Sequence, residues 1–154
     1  MMDNVYNQLI RAVDLDNIFI QSCNSQRFHH SLLKSSQIDT NIQMTQRLEY
    51  YKDDFFATSA FFDIKAFEED HEENLIFNIQ FTFILEYRIS GLNSELYNSE
   101  ELQKALDQFV KNNVPVNVWP YGREFIAQIT TRMGLPQLLI GTYKYFPQND
   151  EVEE

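Results

Sequence analysis

The sequence is poor in the residue types that build disulfides, phosphate-binding loops and basic surfaces. Its 154 residues contain 1 Cys, 4 Gly and 4 Pro, and 12 Lys and Arg stand against 23 Asp and Glu. The single cysteine excludes an internal disulfide and a site of several thiolates within one chain, and none of the glycines forms a phosphate-binding motif. The formal net charge of −11 predicts no nucleic-acid partner, because phosphate contacts require a basic patch.

Long apolar runs are also absent. No uncharged apolar stretch reaches the roughly 18 residues of a membrane-spanning helix, and the first residues lack the basic, apolar and small-residue pattern of a secretory signal. A chain of 154 residues with 44% hydrophobic residues is long enough for one domain with a substantial core. We therefore expect a cytoplasmic protein that does not insert into membranes.

No set of side chains predicts catalysis. His29 and His30 are adjacent, so in a strand they would point to opposite sides, and no carboxylate or thiol lies at ligand spacing from them. His71 belongs to an acidic run that is typical of a solvated turn, and Cys23 has no partner at a recognisable spacing. We predict no catalytic residues, no metal and no cofactor.

Aromatic residues are abundant. The chain has 13 Phe, 8 Tyr and 1 Trp, together 14% of its residues. Most of these rings are expected in the core, but one small domain has limited interior for them. We therefore expect some at an interface or in a groove, where rings add contact area at low entropy cost.

The first two-thirds of the chain alternates with the period of β-strands. In QIDTNIQMTQRLEYY one face is predicted to carry Ile38, Thr40, Ile42, Met44, Leu48 and Tyr50. LIFNIQFTFILEYRI alternates in the same way, and FFATSAFFDIKAF between them is apolar on both faces, as in a central strand. The earlier stretch VYNQLIRAVDLDNIFIQS is interpreted as a weaker strand, bent near Asp14 to Asp16. Four strands with short connections predict an antiparallel meander.

Two helices are predicted to follow. One has a single apolar face, formed by Leu102, Ala105, Leu106, Phe109 and Val110, with Asn98 or Ser99 as its N-cap. The other is predicted to begin at Pro120 and to end at Gly134, with a stripe of Tyr121, Phe125, Ile129 and Met133. Strands followed by helices predict an α+β domain over residues 1–146, with a four-stranded antiparallel sheet and two helices on one face. Residues 147–154 are predicted to be an acidic flexible tail.

The second helix also carries a family signature. WPYGREFIAQITTRMGLPQLLIG, from Trp119 to Gly141, resembles the signature of the SecB family of export chaperones. The matching residues are Pro120, Tyr121, Arg123, Glu124, Ile126, Arg132, Gly134, Pro136, Leu138 and Ile140. The resemblance covers roughly residues 4 to 146, because the order of four strands before the helices also agrees. We expect Arg123 and Glu124 to have structural roles.

The resemblance implies a function and an assembly. It implies a holdase that binds unfolded polypeptides without ATP, in a subunit that assembles as a dimer of dimers. The groove of such a chaperone is bounded by the second strand and the loop before it, which implies client contacts from Phe28, Leu32, Leu33, Thr40, Ile42 and Met44. Together with the resemblance, the apolar helix face of Leu102, Leu106, Phe109 and Val110 on so small a sheet implies a homotetramer.

Three departures from the family pattern leave the biological role open. The loop lacks the Trp that usually precedes the second strand, and the family's C-terminal helix is cut short here. The acidic positions through which the family docks the SecA motor fall on Asn17, Gln21 and Gln80, which are neutral. We therefore expect weak or absent SecA binding. An export chaperone, a dedicated chaperone of an unstable antitoxin, and a small-ligand-binding domain that uses the aromatic interior as a pocket all remain open.

Overall fold

A computed structural model describes residues 4–28 and 37–144 of the chain as a four-stranded antiparallel sheet with helices on one side. The elements in chain order are α1 (Val5–Ala12), β1 (Val13–Arg27), β2 (Ile38–Lys52), β3 (Phe55–Glu68), β4 (His71–Ile89), a 3-10 turn (Ser94–Leu96), α2 (Glu100–Asn112) and α3 (Val114–Arg132). The α+β fold class predicted from the sequence is confirmed.

The strand order is not the predicted meander. It is β1-β4-β3-β2, so β2, β3 and β4 are successive hairpins and β1 lies beside β4. The two hairpin turns use Asp53 and Asp70 in the left-handed region, with φ of 56° and 63°, a conformation that short polar residues tolerate. As a consequence, β1 and β2 form opposite edges of the sheet.

The first part of the chain was predicted wrongly as a strand. Residues 5–12 form α1, whose N-cap Asn4 accepts a hydrogen bond from the backbone N–H of Asn7. Leu9 and Ala12 are buried, and the Tyr6 hydroxyl donates to Asn113 Oδ1 at 2.6 Å. This helix has only 8 residues, so its periodicity is too short to distinguish from an irregular strand. The described residues therefore contain a third helix, which packs on α2, while α2 and α3 are the two helices that contact the sheet as predicted.

The helix α2 covers the sheet with the apolar face expected for it. Its N-cap is Ser99, whose hydroxyl accepts from the Leu102 N–H at 3.1 Å. Leu102, Leu106, Phe109 and Val110 are at most 6% exposed within a single subunit. These four residues are therefore core residues and not an exposed oligomer interface, because the subunit's own sheet and helices already cover them.

The helix α3 begins six residues earlier than its sequence predicts. It starts at Val114, with Pro115 in the first turn and Pro120 inside the helix. Its buried face is Val118, Gly122, Ile126 and Thr130, whereas Tyr121 is 42% exposed. Phe125, Ile129 and Met133 pack against the core from its margin. The predicted end is confirmed, since Gly134 has a φ of 73°.

Most aromatic rings fill the space between sheet and helices. Phe62 stacks on Phe81 with ring centroids 4.6 Å apart, and Phe56 stacks on Tyr87 at 4.8 Å. Such pairs add about 0.5–1.5 kcal/mol to the free energy of burial. In the two described ranges, no helix is long and apolar enough to cross a membrane.

Candidate functional site

A groove of about 330 Å³ opens where β2 meets α3 and the segment after it. Its lining residues are Ile42, Met44, Gln46, Trp119 and Tyr143. The three β2 residues point to the helix side of the sheet, since Ile42 pairs with Ile64 and Met44 with Phe62, both fully buried. Because α3 does not extend over β2 as far as its edge, Ile42 and Met44 stay half-buried.

The opposite wall of the groove is aromatic. The Trp119 ring lies 6.0 Å from the Phe62 ring and 5.6 Å from the Tyr143 ring, measured between centroids. Phe62 in turn stacks on Phe81. The groove is therefore continuous with the packed core, because its aromatic wall contacts core rings directly.

Residues 135–144, which we call the strap, hold Tyr143 in this wall. The strap has no regular secondary structure and is joined to α3 by side chains of the helix. The Trp119 Nε1–H donates to the Gly141 carbonyl at 2.7 Å, and Arg123 Nε donates to the Ile140 carbonyl at 2.9 Å. These bonds satisfy carbonyl groups that a segment outside a helix or sheet would otherwise leave without protein partners.

The edge of β2 adds backbone groups to the groove. In strand order β2 pairs only with β3, so one side of this 15-residue strand has unpaired N–H and C=O groups within the part of the chain that the structure describes. An edge strand of this kind can accept a further strand through main-chain hydrogen bonds. An extended polypeptide could therefore combine backbone pairing with β2 and side-chain contacts in the groove.

The structure brings together some of the predicted site residues and separates others. Ile42 and Met44 line the groove, and exposed Thr40 lies one pair further along the same face, opposite Ala66. Phe28 is 41% exposed but follows β1 and bonds to the Ile76 carbonyl of β4. The axes of β1 and β2 are three strand spacings apart, which is about 14 Å. Phe28 therefore lies at the opposite edge of the sheet from the groove. Leu32 and Leu33 lie outside the described residues.

Three groove residues were not predicted from the sequence. The helix was predicted to start at Pro120, which placed Trp119 before it. The position of Trp119 directly before the signature proline was a signal that could have indicated its role. Tyr143 belongs to an aperiodic segment, where no pattern predicts which side chain faces the sheet. Gln46 shares the period of Ile42 and Met44, so the alternation of β2 was the available signal for it.

The other side of the sheet carries polar and charged side chains beside exposed Phe19 and Phe61. A second cavity of about 340 Å³ is lined by residues that include Gln21, Arg47, Glu49, Ser59 and Phe61. The Ser59 hydroxyl and the Arg47 guanidinium both donate to Glu49 Oε1, and these hydrogen bonds lower the pKa of the Glu49 carboxyl below its usual value. We call this side of the sheet the outer face.

The three neutral positions of the sequence analysis lie on this outer face. Asn17 pairs with Glu86 and Gln80 with Asn24, while Gln21 lines the second cavity. Two nearby carboxylates are partly neutralised, because Arg88 bonds to Asp16 at 3.0 Å and contacts Asp54 at 3.5 Å. The acidic turn between β3 and β4 lies at the end of the sheet.

The described residues contain no group of three or more His, Cys, Asp or Glu side chains that could hold a metal ion. Cys23 is exposed, but partial burial of its sulfur raises the pKa of the thiol, which reduces the reactive thiolate fraction. His71 contacts Glu73 at 3.2 Å in an exposed turn. His29 and His30 lie outside the described residues.

Comparisons with known proteins agree with this geometry. No protein-family model matches the sequence, and no curated protein is significantly similar to it. Among solved structures, the chain is similar to a SecB-like chaperone from Mycobacterium tuberculosis, solved in complex with a ChAD peptide from the HigA1 antitoxin. The TM-score is 0.73 at 14% sequence identity, over 90% of this chain and 96% of that chain.

A second similar structure is a protein of unknown function from Streptococcus agalactiae. Its TM-score is 0.46 at 12% identity, over 84% of this chain and 96% of that chain, which is too low to support an argument. The sheet order, the helices on one face and the similarity over nearly the full described length lead to one conclusion. The chain has the fold of the SecB-like chaperones.

Proposed function

We propose that this protein is an ATP-independent holdase that binds unfolded polypeptides in the groove beside β2. The observation that carries the proposal is the combination of an open apolar groove with an unpaired strand edge, in a fold shared with a chaperone. A holdase has to accept many sequences, and backbone pairing is independent of sequence. The groove then selects for apolar side chains without defining their order.

The energetics favour capture by several weak contacts. Each aliphatic or aromatic client side chain buried in the groove contributes about 1.5–3 kcal/mol before ordering costs are subtracted. Several such contacts along one client add through effective concentration. Burial of apolar surface supplies this free energy without a chemical step, so nucleotide is not required.

Two neighbouring residues of β2 offer a sharp test, because they face opposite sides of the sheet. Met44 faces the groove, and Thr45 faces the outer side opposite Phe61. We expect Met44→Glu to reduce suppression of the aggregation of denatured citrate synthase at least about tenfold, because a carboxylate is costly to desolvate. Thr45→Glu is the matched control and should behave like the parent. Equal capture by the parent and Met44→Glu, with both proteins folded, would contradict the groove assignment.

We further propose an antitoxin as the class of client. The similar chaperone from Mycobacterium tuberculosis was solved with a peptide from an antitoxin, and the neutral residues Asn17, Gln21 and Gln80 make a contact with an export motor less favourable. An antitoxin encoded beside this chain should be degraded in cells without it and accumulate in cells that express it. An antitoxin of equal lifetime in both would favour a general or export chaperone.

A small-ligand-binding domain is the less favoured alternative. Such a domain would need an enclosed pocket among the aromatic rings, but Phe62 and Phe81 stack on each other and Phe56 stacks on Tyr87. The aromatic interior that would form the pocket is occupied by its own rings.

We propose that subunits assemble through the β1 edge and not through α2. β1 is the other edge strand, and Leu15, Phe19 and Ile20 on it are 37–41% exposed. Leu15 and Ile20 pair with Tyr87 and Phe83 on the helix side, so a second copy beside β1 would extend the sheet and cover them. A pair of such dimers gives the homotetramer that the family resemblance implies.

Light scattering at micromolar concentration tests this assembly. The parent should be a tetramer, and Leu15→Asp combined with Ile20→Asp should give smaller species, because two carboxylates would enter the interface. Asn24→Asp adds a charge on the outer face of the same strand and is the control. A monomeric parent would overturn the assembly.

A further inference from the structure

We propose that Arg123 is a positioning residue that fixes the strap so that Tyr143 forms one wall of the groove. The inference rests on the proposed holdase function and assigns a role to the arginine of the signature stretch. Arg123 does not line the groove. It acts on the groove through the main chain of the strap and the ring of Tyr143.

Three side chains of α3 hold the strap in a ladder. Thr130 Oγ1 accepts from the Leu138 N–H at 3.0 Å, Arg123 Nε donates to the Ile140 carbonyl at 2.9 Å, and Trp119 Nε1 donates to the Gly141 carbonyl at 2.7 Å. Helix positions separated by four and seven residues share one face. The strap therefore runs antiparallel to α3 along that face.

The part of the strap that reaches the groove depends most on this ladder. Leu135 and Ile140 are buried and fasten residues 135–140 of the strap by apolar contacts, whereas Leu139 is 71% exposed. Ile140 is the last of these apolar anchors before Tyr143. Gly141 contributes no side chain, and a Cβ added there would meet nothing within 4 Å. The position of Tyr143 therefore depends on the hydrogen bonds at Ile140 and Gly141 and on its contact with Trp119.

Arg123 supplies the stronger of the two donors. A guanidinium donates a charge-assisted hydrogen bond, which is stronger than a bond between neutral groups, and the side chain is half-buried. Loss of this donor would remove the hydrogen bond to the Ile140 carbonyl, so the main chain next to Gly141 would be less firmly held. The expected result is a wider groove in which Tyr143 no longer faces Trp119.

Trp119 is the only tryptophan of the chain, so its fluorescence reports on the wall directly. We expect Arg123→Ala to shift the Trp119 emission to longer wavelength and to increase its quenching by acrylamide in the absence of client. Arg132→Ala makes the same change at an exposed position of the same helix and should leave the emission unchanged. Arg123→Lys retains a cationic donor and should restore most of the parent emission.

Binding is measured with an unfolded probe that lacks tryptophan, reduced and carboxamidomethylated ribonuclease A carrying an anisotropy label. We expect Arg123→Ala to weaken probe binding about five- to tenfold, Arg123→Lys to weaken it less than about threefold, and Arg132→Ala to have no effect. If Arg123 acts through Tyr143, then Arg123→Ala should weaken binding no more than about twofold further in a Tyr143→Ala background. A generally weakened fold would instead give effects that multiply.

The outcomes separate the two proposals. Parent-like emission and parent-like binding in Arg123→Ala would overturn the positioning role, and so would multiplied effects in the double variant. A parent protein that does not bind the probe would overturn the holdase function, while the emission of client-free Arg123→Ala would still decide whether Arg123 positions the wall. If Arg123→Ala does not fold, Arg123→Met keeps the aliphatic part of the side chain, lacks the donor to the Ile140 carbonyl and should show the same shift in emission. An unchanged emission there would overturn the proposal.

Discussion

A Cβ atom on Gly122 would lie 2.7 Å from Cζ of Phe62. The absence of a side chain at residue 122 therefore allows α3 to pack this closely on β3. Phe62 cannot easily move away, since it is fully buried and stacked on Phe81. The same Phe62 ring also contacts Trp119 of the groove wall, one helical turn earlier on α3.

We predict that Gly122→Ala destabilises the subunit by about 1–2 kcal/mol. Overpacking costs about 1–3 kcal/mol, and the better helix propensity of alanine returns up to about 1 kcal/mol. Urea unfolding followed by circular dichroism measures the difference. Gln128→Ala on the exposed side of α3 is the control and should change the free energy of unfolding by less than about 0.5 kcal/mol. A stabilised Gly122→Ala would show that Phe62 can repack.

The sequence predicts the strands and helices that have a clear hydrophobic period. It does not predict the positions of residues that depend on a bulge or on a contact with a distant part of the chain. The alternation of β2 and β4, the apolar run of β3 and the apolar face of α2 follow from local patterns. Tyr50 does not, because the register shift between Leu48 and Tyr50 moves it to the outer face, where it pairs with Ala57. A bulge reverses the alternation without any change in composition.

The site was predicted only in part for the same reason. Ile42 and Met44 belong to a periodic strand, so their shared face could be recognised. Tyr143 faces them only because side chains of α3 hold the strap, and no local pattern reports a contact between distant parts of the chain. The position of Phe28 depends on the strand order, and the expectation of a meander placed β1 beside β2.

We predict that Phe125→Ser costs about 2–4 kcal/mol of stability. Its ring packs edge-to-face on Phe81 at 4.7 Å and on Phe83 at 6.2 Å, and the substitution removes these contacts and leaves a hydroxyl at the margin of the core. Thermal unfolding gives the measurement. Tyr121→Ser, one turn earlier on the exposed side, should cost less than about 1 kcal/mol. Equal losses in the two variants would show that Phe125 contributes no more to the core than Tyr121.

We predict a loss of stability at high pH that depends on Tyr87. Burial raises the pKa of Tyr87 from its ordinary value of 10.0 to about 12, although the hydrogen bond from Asn117 opposes this shift. The folded state therefore favours the neutral phenol. The neutral phenol contributes up to about 2–3 kcal/mol to the free energy of unfolding. This contribution is complete below pH about 10 and is lost as the pH rises to about 12.

The comparison between the parent and Tyr87→Phe isolates this contribution. Phenylalanine has no proton to lose, so the free energy of unfolding of the variant should fall less steeply between pH about 10 and 12. The variant also loses the bond to Asn117 at 2.9 Å, a cost of about 1 kcal/mol that does not depend on pH. Parallel stability curves for the two proteins would contradict the prediction.

The last prediction concerns the export motor. With neutral residues at Asn17, Gln21 and Gln80, and with Asp16 and Asp54 held by Arg88, we expect no saturable binding to SecA at micromolar concentration. Calorimetric titration measures it. Asn17→Asp, Gln21→Glu and Gln80→Glu together should create binding, because three carboxylates on the outer face restore the charge that the family uses. The effect should decrease with salt, since exposed charges are screened beyond about 10 Å at 0.1 M ionic strength.

The same three charges placed elsewhere separate local from general electrostatics. Gln103→Glu, Gln108→Glu and Gln128→Glu lie on exposed positions of α2 and α3 and change the net charge equally, so they should create no binding. Tight, saturable binding of SecA by the parent would contradict the prediction. Its source would then be sought in the acidic run at the turn between β3 and β4, where replacement of Glu69 and Glu72 by Gln should abolish it.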